Sequence, residues 1–510
     1  MAYQPIVAHV DTDVIRFSHG VIDLWMRPQR TIKACYGVPR TSSSSRTGNG
    51  DAGVDSNGDV TMAGASSSDV PRSEWLVGDA LDEALGADGE ERIEVRWPFV
   101  EVAGKQDWEG REFVLLHMYA LLNVQPSNNT APLLLIPPAA PPSFPLPDQA
   151  LYCQMVFENL NAPQLCLLPS PLAALWALNA VTGAALHIGR NTSEVSIVVD
   201  SVVRYECVKS VNLGQADCEA HLDALLMADD ILNTELLSAA GVDNWTDGQK
   251  EKLVKEIRQF IFAECTGDDI EVPVAKGGAK AVVIIAAQPE EEDAFDVAKK
   301  LTADAIPQAA AAASHKSKKA QAAAAATAAS KASAAADAAA AAAAADVIMV
   351  TIPSLPEKEI PVGPVRHRLC EPLLMGKTRG GDTVWEALGR AVESSSLNIN
   401  ERLQIWDAIA VTGDMARFKS FPTSLVTYLS PFLLTSTELP SDQQPGRVRL
   451  LSIPDYVANF KGATSDLAPF LGASMIAKVA FSESQGKHSI SKVDYNLHGP
   501  AAIYGIWQQE

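Results

Sequence analysis

Short apolar runs of strand character recur along the chain, separated by stretches in which apolar residues return at intervals of three and four. The runs Pro5–Val10, Ala131–Ile136, Glu194–Asp200, Ala281–Ala286 and Val448–Ile453 predict strands. The stretches Leu151–Leu160, Pro171–Ala180, Asp217–Leu226 and Asp247–Glu264 predict helices, with Ser170 (ahead of Pro171) and Asp247 as N-caps. Glu194–Asp200 and Val202–Val211 read as a hairpin without an Asn-Gly turn. Strands alternating with helices predict an α/β fold.

Two segments interrupt this pattern. From Thr41 to Pro71 the chain is rich in Ser, Gly and Asp, with too few apolar side chains to offset the entropy of ordering, so a disordered insertion is expected over 41–72. Residues 289–346 are dominated by alanine, which favours helix but buries little, so a mobile insertion, partly helical at most, is expected there. Its His315-Lys316-Ser317-Lys318-Lys319 cluster reads as a solvated charge cluster or a nuclear import signal.

Composition then narrows the chemistry. A chain of 510 residues exceeds one hydrophobic core, and 47% apolar content suffices to fold most of it. The net charge of -21 argues against direct nucleic-acid binding, which needs clustered Lys and Arg. The seven cysteines form no C-x-x-C pair, which favours a reducing interior. Metal-ligand spacings, nucleophile elbows, Walker loops and G-x-G-x-x-G runs are absent from the sequence. The longest apolar stretch is alanine flanked by charge, too weakly hydrophobic to span a bilayer, so no membrane contact is expected.

Specific resemblance begins at Gln154. The run Q-M-V-F-E-N-L-N-A-P, the apolar helix that follows and the strand V-S-I-V-V-D-S ending at Ser201 resemble the actin family. Phe470–Ala477 (F-L-G-A-S-M-I-A) and Ile490–Pro500 (I-S-K-V-D-Y-N-L-H-G-P) repeat the likeness at the other end. Trp75–Leu81, Arg96–Glu101, Ile360–Leu374 and Ala408–Asp414 support it between them.

The resemblance implies an actin fold: ribonuclease H-like duplicated lobes, four subdomains and a central cleft that holds ATP and a divalent cation. The first lobe is expected to comprise 1–177 plus 468–510, and the second 178–467. In the family two glycine-rich hairpins cradle the phosphates, since only glycine lets backbone N–H groups wrap an anion closely. The first aligns here with His9-Val10-Asp11-Thr12-Asp13, which sets carboxylates where glycines belong. The second is aligned with Asp200-Ser201-Val202-Val203-Arg204, where β-branched residues oppose the positive-φ turn the clamp needs. Ser170 replaces the water-positioning Gln, Asp414 replaces an adenine-side glycine, and Arg258-Gln259 replaces a Lys-Glu pair.

A degenerate site without turnover or resident cofactor is therefore expected. The positions that would hold a weak structural ATP are Asp200, Ser201, Arg258, Gly413, Phe418 and Gly472, each with a competing role in packing or capping. Within the family, the pattern most resembles the actin-related subunits of SWI/SNF and RSC chromatin remodellers. That resemblance implies a nuclear, non-catalytic subunit that forms no filament of its own. It also implies pairing with a second actin-related protein, of the type called seven, and a seat on the helicase-SANT-associated helix of the remodeller ATPase. Leu172, Leu175, Leu178, Leu471, Met475 and Ile476, with Tyr495 and Ile503, are the expected apolar groove for that helix. The alternatives are another actin-related protein, cytoskeletal or from a different chromatin complex, or a weakly active actin-fold ATPase.

Overall fold

A computed structural model describes residues 4–20, 25–40, 70–86, 92–100, 105–138, 145–245, 248–265, 270, 272, 346–377, 381–433, 445–482 and 488–505. The basic cluster at 315–319, most of the two insertions, the expected strand at 281–286 and the cap at 247 lie outside them. The strands are β1 (Ile6–Val10), β2 (Val14–His19), β3 (Arg30–Lys33), β4 (Tyr36–Pro39), β5 (Leu76–Val77), β6 (Ile93–Arg96), β7 (Leu133–Ile136) and β8 (Gln164–Leu167). They continue with β9 (Gly183–Ile188), β10 (Ser193–Val199), β11 (Val202–Val211), β12 (Ile348–Ile352), β13 (Leu355–Val362), β14 (Ile409–Thr412) and β15 (Ile490–Ser491).

Two packed units result: residues 1–215, 386–416 and 451–510 form one, and 216–385 with 417–450 the other. The first unit holds a six-stranded sheet in the order β15-β8-β7-β1-β2-β3 and a four-stranded sheet in the order β11-β10-β9-β14. β1, β7 and β8 run parallel at the centre, which explains why their sequences are apolar on both faces. Ile6, Ala8, Leu133, Leu135, Leu165 and Leu167 point into one core, while the intervening Val7, Leu134, Ile136 and Cys166 point into another.

That second core is built on two helices, Ser170–Ala177 and Ala468–Ser482, which pack on each other between the sheets. Their close approach depends on Gly472, where a Cβ would lie 1.9 Å from the carbonyl oxygen of Ala173. A small three-stranded sheet, β5-β4-β6, has its own core of Cys35, Leu81 and Ile93, with Val95 and Trp97 packed against it.

In the second unit the helices Asp230–Ala240 and Gln249–Glu264 pack on the β12–β13 hairpin. Asp229 caps the former by accepting from the Ile231 and Leu232 N–H groups, and Gly241, at φ 68°, ends it. Asp346 enters β12 bonded to Arg366 and His367.

Three local expectations change. Val448–Ile453 is joined to β14 through the Leu451 N–H and Ile409 carbonyl, but the described chain forms only a single bridge there, at Leu450, and no strand. The cap of the helix Gln249–Glu264 is Gly248. Pro169 occupies the N-cap of the helix at 170, and Ser170 is its first residue. No helix among the described residues is long and apolar enough to cross a membrane.

Candidate functional site

The β1–β2 hairpin turns through Asp11, Thr12 and Asp13, as the sequence places it. What faces it is a different hairpin from the one expected. β9 ends at Ile188, the chain turns through Gly189–Thr192, and β10 starts at Ser193. From this turn His187 Nε2 lies 3.1 Å from the Asp11 carboxylate, and the Arg190 N–H donates to Thr12 Oγ at 3.1 Å.

Asp200 and Ser201 sit at the other end of β10. Seven residues of strand separate the two turns, roughly 20 Å at 3.3 Å per residue. Asp200 and Ser201 form a two-residue turn with φ of 50° and 65°, so the positive-φ turn is made, by these residues and not by the valines that follow. Its N–H groups donate to Thr182 Oγ1 at 2.9 Å and to the Val181 carbonyl at 2.7 Å. The turn that faces β1–β2 thus lies one strand before the aligned Asp200–Ser201, and its residues are His187, Gly189 and Arg190.

Four N–H donors at the two facing turns are engaged. The Asp11 N–H donates to the Val14 carbonyl at 2.8 Å and the Gly189 N–H to the Thr192 carbonyl at 3.0 Å. The Thr12 N–H donates to the Asp11 carboxylate at 2.7 Å, and that of Arg190 is already accounted for. An anion placed between the turns would have to break these bonds.

Charge is balanced from within. Arg16, cross-strand from His9, reaches Asp414 at 2.6 Å and Asp466 at 3.5 Å, with about one-twentieth of its side chain exposed. His187 bridges Asp11 and Thr412, its Nδ1 lying 3.2 Å from Thr412 Oγ1. Burial opposes ionisation of Asp11, but the charge and hydrogen bond of His187 outweigh it and hold the carboxyl well below the usual range. Burial likewise opposes a charge on His187, and Asp11 overcomes it, raising the imidazole. His9 has no such partner and burial pushes it down to about 3.

Asp13 behaves oppositely to Asp11. Burial, reinforced by the charges of Asp414 and Asp11, pushes it up to about 8 from 3.8. Between those two pH values the folded chain holds a proton that the unfolded chain has released, so stability falls as pH rises through the window. The slope from this one group reaches about 1.4 kcal/mol per pH unit. Asp13→Asn should flatten the decline in unfolding free energy between pH 6 and 8.5, measured by urea denaturation; an unchanged decline would remove Asp13 as its source.

The remaining expected residues are spread between the units. Gly413, at φ 89°, is required by the backbone: a Cβ there would lie 2.1 Å from the Ile188 carbonyl oxygen. Gly472 serves the helix contact described above. In the second unit Arg258 pairs with Asp223 at 2.8 Å and Glu219 at 3.4 Å, and Phe418 is buried edge-on to Phe262. Among the described residues no three His, Cys, Asp or Glu side chains are arranged to hold a metal ion.

The expected partner groove is mostly interior. Leu172, Leu175, Leu178, Leu471 and Ile476 are buried in the second core, with Met475 partly buried against it. Tyr495 stacks on Phe157 and bonds Glu158 through its hydroxyl, and Ile503 is buried. The apolar surface on this helix is instead Trp176, whose Nε1 donates to Ser201 Oγ at 3.0 Å. Val181 and Val202 adjoin it through the Asp200–Ser201 turn, all three more than a third exposed.

Residues 26–259 match the actin family. Over 424 residues, 78% of this chain and 76% of its relative, the sequence is 24% identical to the SWI/SNF and RSC complexes subunit arp9 of Schizosaccharomyces pombe. Residues 26–259 carry an actin-family domain, with mixed sheets and helices, and the chain is similar to that subunit.

Proposed function

We propose that this chain is a non-catalytic, actin-related subunit of a nuclear ATP-dependent chromatin-remodelling complex. The observation that carries the non-catalytic half is the engagement of the N–H donors at Asp11, Thr12, Gly189 and Arg190 in bonds within the chain. A triphosphate needs such groups free, and it would meet Asp11 and Asp13 instead. The similarity to an SWI/SNF and RSC subunit supports the assembly. In this reading the chain pairs with a second actin-related protein of type seven. It seats the helicase-SANT-associated helix of the remodeller ATPase on the Trp176, Val181 and Val202 surface, because an amphipathic helix needs an exposed apolar strip with a large aromatic anchor.

Purification of the tagged chain from nuclei, followed by mass spectrometry, tests this. A remodeller ATPase and a second actin-related protein should be recovered, and Trp176→Ala with Val202→Ser should reduce recovery of the ATPase at least tenfold. Recovery of a cytoskeletal assembly without a remodeller ATPase would overturn the reading.

A further inference from the structure

The small sheet β5-β4-β6 buries Ile93 in a small core of its own, while Tyr36, Val38 and Val77 join the larger core of the first unit, and further contacts reach it from the side. Two ties converge on the β1–β2 turn. The Ala34 N–H, just ahead of β4, donates to the Asp13 carbonyl at 2.8 Å. Arg190 makes the second tie: its N–H holds Thr12, while its guanidinium lies 4.3 Å over the ring of Trp97, at the end of β6.

Arg190 is itself well anchored. The Gln215 N–H donates to the Gly189 carbonyl at 3.0 Å, and Gly214 lets the Arg190 backbone approach where a Cβ would lie 2.4 Å from its carbonyl oxygen. One residue thus joins three pieces: the β9–β10 turn through its backbone, the β1–β2 turn through Thr12, and the small sheet through Trp97. A planar guanidinium stacks on an indole face in a way that an ammonium cannot reproduce.

We propose that Arg190 is the strap holding the small sheet onto the two facing turns, so that this part of the unit keeps its position with no ligand between them. The proposal rests on the nucleotide-free reading given above. It makes Arg190 a positioning residue and assigns Trp97 as its receiver.

Hydrogen exchange on the full-length chain, with and without millimolar Mg-ATP, tests it. Arg190→Ala and Trp97→Ala should each speed exchange in β4 and β6 about fivefold, from the usual strength of such a contact. The double variant should go no faster than either single one, Arg190→Lys should behave as Arg190→Ala, and the helices Ser170–Ala177 and Ala468–Ser482 should keep their protection. Mg-ATP should change none of these. Unchanged exchange in β4 and β6, additive effects, or loss of protection throughout the unit would each overturn the strap. Protection of the wild-type turns by Mg-ATP would overturn the nucleotide-free reading instead.

Discussion

Asp414→Ala should destabilise the first unit by about 3–5 kcal/mol, because it leaves the buried Arg16 guanidinium short of its nearest counter-charge. Asp466 at 3.5 Å remains as a weaker partner, which favours the lower end. One guanidinium nitrogen of Arg16, Nη1, already lacks a hydrogen-bond partner, so the site has no spare acceptor to offer. Replacing both partners by apolar residues, Arg16→Met with Asp414→Leu, should recover much of the loss, since neither desolvated charge is then present. Urea unfolding of the three proteins decides it; a single variant within 1 kcal/mol of wild type would show that the pair contributes little.

Gly472→Ala comes next in expected effect. The added methyl would sit 1.9 Å from a backbone oxygen of the facing helix, and backbone cannot rotate aside as a side chain can. Separating the two helices disturbs packing against both sheets, so a loss of about 2–3 kcal/mol is expected, at the upper end of overpacking costs. Gly86→Ala is the control, because a Cβ there meets nothing within 4 Å. Thermal unfolding should separate the two clearly, and equal midpoints would refute the close-packing argument.

Much of this architecture is legible in the residues. The central strands announce themselves because β1, β7 and β10 are buried along their full length, and the family likeness at 154–200 and 470–500 is carried by packed elements. That the turn facing β1–β2 is not Asp200–Ser201 has a physical reason for going unseen in the sequence. Asp200-Ser201 copies the two leading residues of the family motif, whereas the turn that faces β1–β2 presents His187 and Arg190, which look nothing like it. Only the pairing of β9 with β10, His187 opposite Glu194, reveals which turn faces Thr12.

The groove was misread for another reason. The helix Ser170–Ala177 is apolar nearly all round, and such a helix gives no sign of which side is left uncovered. The Arg16–Asp414 pair, 398 residues apart in sequence, leaves no local trace at all.

The helix Ala468–Ser482 has one more consequence. It packs on β1 and β7 and on the helix Ser170–Ala177, and β15 then completes the edge of the six-stranded sheet beside β8. The first and last segments of the chain therefore share one interior. During synthesis the N-terminal strands leave the ribosome long before their covering helix exists, so their apolar faces stay open until residues 468–482 have been made. A nascent chain stopped anywhere before residue 468 should depend on chaperones to remain in solution.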